Sequence, residues 1–226
     1  LGGNMRSLVA LNILALIGAL PFSASNASAE PATGYANGVV VAAHPFAASA
    51  GAEVLRGGGN AIDAFVAASF MIAVVEPQGS GLGGGGFAVT WDLQRVEALD
   101  FREKAPKAAT RDMYLVEGKA DTTLSQDGGL SIGVPGMVQG MWDLHQKYGS
   151  KPWQELLRPA VEVAKNGVEV NPLLQDHIQR NVERFNAAAK TIFMPDGNVP
   201  PVGSRLVQKD LADTLQRIAD SGPAAF

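Results

Sequence analysis

One arginine stands between acids at the end of a short apolar run, in Asp100-Phe101-Arg102-Glu103-Lys104-Ala105-Pro106. A guanidinium presents a planar fork whose natural partner is a carboxylate gripped by two parallel hydrogen bonds. That carboxylate is either a ligand's or an internal one, Asp100 or Glu103. The imidazoles are His44, His145 and His177, far apart in sequence. His44 precedes Pro45 with no second imidazole or carboxylate near it, and reads as a residue closing a strand. His145 and His177 read as surface residues on helices. Thr122 and Thr123 lie in a polar stretch with no local base and read as solvated. Cysteine is absent, which excludes disulfides, Cys-ligated zinc, iron–sulfur clusters and thiol nucleophiles within this chain.

The second chemical feature is glycine. Six of the nine residues in Gln78-Gly79-Ser80-Gly81-Leu82-Gly83-Gly84-Gly85-Gly86 are glycine. A dinucleotide loop needs a strand before it and a helix after it. Here a helical pattern precedes and a strand pattern follows, and no Gly-Lys-Ser/Thr is present. The run therefore reads as a chain reversal where backbones approach closely, or as the border of a site.

Stretches on either side must position these groups. Val39-Val40-Val41-Ala42-Ala43 predicts a buried strand and 47–56 an Ala-rich helix. Asn60 predicts an N-cap for 61–75, a stretch apolar all round and hence a buried helix, too short for a bilayer. Residues 87–91 and 95–102 predict a hairpin. Period two puts Val96, Ala98, Asp100 and Arg102 on one face and Glu97, Leu99, Phe101 and Glu103 on the other. Residues 112–120 predict a short helix, and 121–133 an exposed loop. Further helices are expected at 137–148, 153–165 (with Pro159 as a kink), from Pro172 to about 190, and 209–219. The fold class is α/β of the α+β kind, with a helical second half.

The formal net charge is −4, from 18 basic and 22 acidic residues, which does not suggest a nucleic-acid surface. Residues 1–29 read as a secretory signal: Met5-Arg6, an apolar run over 8–22, then Ala27-Ser28-Ala29. The run is short for a stable membrane span. Residues 30–226 are then an exported, secreted or periplasmic chain.

Six strings, in order, carry a resemblance: His44-Pro45 with its Ala/Ser segment, Gly58-Gly59-Asn60-Ala61-Ile62-Asp63-Ala64, Val75-Glu76-Pro77-Gln78, Ser80-Gly81-Leu82-Gly83-Gly84-Gly85-Gly86-Phe87, Phe101-Arg102-Glu103-Lys104-Ala105-Pro106 and Gly133-Val134-Pro135-Gly136. From about Gly38 to its last residue the chain resembles the N-terminal part of the large subunit of the γ-glutamyltransferase (γ-glutamyl transpeptidase, glutathione hydrolase) family. The resemblance implies an N-terminal-nucleophile hydrolase with a four-layer αββα sandwich, of which 30–226 would be an incomplete large-subunit portion. It implies a proenzyme that cleaves itself to expose a small-subunit Thr. That Thr attacks the γ-glutamyl carbonyl, with its own α-amine as base. The acyl group then passes to water or to an amino acid or peptide. Glutathione is the typical donor.

The resemblance gives Arg102 the substrate α-carboxylate, and Glu103 the steadying of that Arg, although strand alternation points the two apart. The nucleophilic Thr and the small subunit would lie outside this chain, so no catalytic residue can be named in it and the chain alone is expected to be inactive. Central sheets lacking strands would expose apolar edges. No metal or organic cofactor is implied. The alternatives are a related glutaryl or cephalosporin acylase, and a non-catalytic exported protein that uses Arg102 for an acidic ligand.

Overall fold

A computed structural model describes residues 38–226. The signal reading over 1–29 lies outside the described residues. The first helix, α1 (Pro45–Arg56), starts where His44 accepts a hydrogen bond at Nδ1 from the Phe46 N–H (3.2 Å) and Pro45 supplies a preset φ. The second, α2 (Ala61–Val75), has a full capping box. Asn60 Oδ1 accepts from the N–H groups of Ile62 (2.9 Å) and Asp63 (3.0 Å), and the Asp63 carboxylate accepts from the Asn60 N–H (2.9 Å). With no polar face, α2 is sandwiched between α1 and the later helix α5 (Trp153–Asn166).

The expected strand at 39–43 does not form. Val39 and Val41 are 60% and 87% exposed. No described strand lies alongside to take its backbone hydrogen bonds, so the apolar run gains no ladder. The hairpin does form, as β1 (Phe87–Trp91) paired antiparallel with β2 (Val96–Asp100), Phe87 opposite Asp100 and Trp91 opposite Val96. Leu99 and Ala88 turn toward the core, whereas Phe87, Val89, Trp91 and Val96 stay open.

The helix expected over 112–120 is instead a two-residue hairpin, β3 (Leu115–Val116) and β4 (Lys119–Ala120). Its turn passes through Glu117 (φ 51) and Gly118 (φ 77), the doubly left-handed backbone that tight hairpins require. The loop expected at 121–133 contains α3 (Thr122–Gln126), capped by Asp121, and a 3₁₀ turn at Gly129–Ser131.

The second half is helical. It comprises α4 (Met137–Tyr148), α5, which runs unbroken through Pro159, α6 (Pro172–Asn181), α7 (Ala187–Phe193) and α8 (Lys209–Ser221). The single helix expected from 172 to about 190 is broken because Asn186 caps a fresh start, accepting from the Ala189 N–H (2.9 Å). A small ladder pairs β5 (Val168–Glu169) with β6 (Arg205–Leu206). The core gathers Val66, Phe70 and Val74 of α2, Met141 of α4, Leu156 and Leu157 of α5, and Leu215 and Ile218 of α8. Trp153 Nε1 donates to the Ile218 carbonyl (3.0 Å) and stacks edge-on against Phe70 and Trp142. The fold is mixed helix and sheet. Every sheet among the described residues has two strands.

Candidate functional site

Three pieces of backbone meet at the end of β2. Phe101 exchanges hydrogen bonds with Gly86 (3.0 and 3.4 Å), and the Gly84 carbonyl accepts from the N–H groups of Gly136 and Met137 (both 3.0 Å) at the start of α4. A Cβ on Gly85 would sit 2.5 Å from the Phe101 oxygen and 2.7 Å from the Glu103 nitrogen. A Cβ on Gly136 would overlap the Phe101 carbonyl outright. These two positions need glycine because the strand end passes directly against them. The Phe101 ring lies on α4 at Gly140. The sequence reading of the run as a chain reversal at a close backbone approach matches this packing, and the anchor it supplies lies immediately before Arg102.

Arg102 is exposed, and its guanidinium has no hydrogen-bond or ion-pair partner among the described residues. Asp100 accepts from the Arg102 backbone N–H (2.9 Å) instead of from its side chain. That contact fixes the main chain and leaves the fork open for a carboxylate. Glu103 is not paired with Arg102. Its carboxyl group reaches over Gly84 and lines a depression of about 370 Å³ with the glycine run, Ser80 and Met137. The two side chains that the sequence singled out are thus adjacent in chain but differ in surroundings, and both lie beyond the last residue of β2.

The remaining groups have structural partners. His44 caps α1. His145 is half-buried between Trp142 and Trp153, with Nε2 2.8 Å from the Lys151 carbonyl, so it is a packing residue, not a surface one. His177 is half-buried on α6. Thr122 and Thr123 are exposed.

Local spacing did not reveal the wider role of Asp63. It is fully buried and collects the N–H groups of Asn60, Ser150 (2.9 Å) and Lys151 (3.2 Å) and the Ser150 hydroxyl (2.5 Å). Burial pushes its pKa up, but the Ser150 hydroxyl and the three N–H donors together prevail and hold it below the usual carboxylate value. Its only local signal was its place three residues after Asn60. Glu97 of β2 likewise meets Lys147 Nζ (2.5 Å), the Tyr148 hydroxyl and Arg95 Nε (3.1 Å), tying the hairpin to the end of α4. Lys147, then Tyr148, hold its pKa down. A groove of about 530 Å³ runs along β1 past Asn60, Phe65 and Glu97; neither Arg102 nor Glu103 lines it.

The anchored strand end and the helical half fall within a family match. The profile of the Gamma-glutamyltranspeptidase family covers residues 47–226, and the chain belongs to that family. It is 36% identical over 230 residues to the glutathione hydrolase proenzyme of Bacillus subtilis, covering 96% of this chain and 39% of that protein. It is 41% identical over 205 residues to the glutathione hydrolase proenzyme of Pseudomonas aeruginosa, covering 90% of this chain and 36% of that protein. The solved γ-glutamyltranspeptidase of Helicobacter pylori superposes with a TM-score of 0.83 at 41% identity, over 85% of this chain and 57% of that one. The chain thus spans well under half the length of these two curated relatives.

Proposed function

We propose that this chain is the N-terminal portion of the large subunit of an exported γ-glutamyl hydrolase or transferase, and that Arg102 grips the α-carboxylate of its donor. The observation that carries this reading is the unpaired, exposed guanidinium at a backbone-anchored strand end. Glutathione, or another γ-glutamyl donor, presents a carboxylate at one end and the scissile amide at the other. A clamp at the first fixes the position of the second. Glu103 borders the same strand end on the side of the glycine run, facing the depression that the run lines.

The nucleophile is a Thr outside this chain, at the head of a small subunit released from the same proenzyme. Its hydroxyl oxygen bonds to the γ-carbonyl carbon, its proton passes through the Thr α-amine to the leaving nitrogen, and the C–N bond breaks. Water, or the amine of an amino acid or peptide, then attacks the ester and restores the hydroxyl. The small subunit is also the partner that supplies the strands of the αββα sandwich and covers the open face of β1 and β2.

The reading is tested with a γ-glutamyl anilide. A complete proenzyme carrying this chain should release the aniline, and the 226-residue chain alone should not. Free L-glutamate should compete and glutarate should not. Turnover by the isolated chain refutes the division of labour. Equal competition by glutarate favours the glutaryl-amide acylase.

A further inference from the structure

Between the two partners of the bridge Lys104↔Val134 the chain makes a long excursion, residues 105–133. Not one residue in it is buried, and Leu115, Val116, Leu130 and Ile132 are 41–62% exposed. Among the described residues the excursion therefore has no core of its own, and apolar packing does not hold it to the helices.

Its order is internal and polar. β3 pairs with β4, the Tyr114 hydroxyl donates to the Leu130 carbonyl (3.0 Å), and the Asp121 N–H donates to the Tyr114 carbonyl (2.9 Å). These bonds brace the excursion as one piece. Its neck is the bridge, with Lys104 N–H to Val134 O at 3.1 Å and Val134 N–H to Lys104 O at 2.8 Å. Its far side meets Arg184. There the guanidinium donates from Nε to Asp127 Oδ1 (2.7 Å) and from Nη2 to the Gln126 carbonyl (3.1 Å). Its Nη1 donates to Asn181 Oδ1 (3.3 Å) at the end of α6.

We infer that residues 105–133 form a hinged strap, pivoting at the Lys104–Val134 neck and latched to the helical half by Arg184. The pivot adjoins Glu103, whose Cβ lies against Gly133, so the neck of the strap borders the Glu103 side of the strand end. The latch is half-exposed at both partners, with side-chain exposures of 51% and 42%, and is therefore weak enough to open and sensitive to salt. This inference does not depend on the proposed reaction.

The chain has no cysteine, so introduced pairs carry the only spin labels. Distances are measured in the 226-residue chain between Lys119→Cys on the strap and Glu162→Cys on α5, with Glu162→Cys and Asp213→Cys as a control pair within the helices. Arg184→Ala should raise the open, longer-distance population about fivefold, the change that an ordinary surface ion pair supports. High salt should do the same to the unmodified latch but not to the variant. Exchanging the charges, Arg184→Asp with Asp127→Arg, should restore the closed distance. An unchanged strap distance in Arg184→Ala overturns the inference. Broadening of the control pair also overturns it, because Arg184 would then support the fold and not a strap.

Discussion

In the helical half, Leu156, Leu157, Leu215 and Ile218 are enclosed on all sides, and Trp153 places even its indole N–H on a carbonyl. In the region from β1 to the start of α4, Phe87, Val89, Trp91 and Val96 are 65–73% exposed, and no residue from 89 to 136 is buried. The helical half closes a core together with α2. The hairpin carries apolar residues on its open face as well as on the face toward the core, which suits a sheet meant to be covered on both sides. Arg102 sits at the junction, just past the end of the hairpin and anchored against the start of α4.

The contrast is sharpest if core and hairpin substitutions differ in cost. Leu215→Ala should lower unfolding stability by about 2–5 kcal/mol, through lost burial and a cavity. Trp91→Ser on the open face should change it by no more than about 0.5 kcal/mol. Denaturant titration of both variants decides this, and equal losses would break the comparison.

Asp63 offers a second test, because it joins the start of α2 to residues 150–151 within the closed core region. Asp63→Asn places an amide where N–H donors already point and should cost roughly 2–3 kcal/mol. The carboxylate's folded pKa is lowered, so its contribution is fully present above the unfolded carboxylate pKa. It is lost as pH falls through the lowered folded value. The stability gap between wild type and variant should therefore hold at neutral pH and narrow in acid. A gap independent of pH down to about 2 would show that the ionised group is not what binds the loop.

Much of this arrangement was legible in the sequence where one local rule sufficed. Asn60 with Asp63 marked the start of α2, and the patterns at 87–91 and 95–102 marked the hairpin, although β2 itself stops at Asp100. Arg102 was legible as a fork at a strand end. Most failures came where a partner decided the outcome. Val39 to Ala43 has strand composition but no described neighbour to pair with. The helix expected at 112–120 was overruled by the turn chemistry of Glu117-Gly118, a signal that was present and outweighed. The contacts of Asp63 with Ser150 and Lys151 span 87 and 88 positions, and no periodicity reaches that far. The resemblance gave Glu103 the steadying of Arg102 while alternation pointed the two apart, and Glu103 lies over the glycine run.

The claim on which the rest turns is that the Arg102 fork holds the donor's carboxylate. The direct measurement is kcat/KM for a γ-glutamyl anilide in a complete proenzyme carrying Arg102→Ala, with Arg102→Lys alongside. Loss of a bidentate charged contact should cost roughly 2–4 kcal/mol of transition-state binding, about 30- to 900-fold in kcat/KM, with lysine recovering part of it. An alanine variant as efficient as the parent would contradict the assignment.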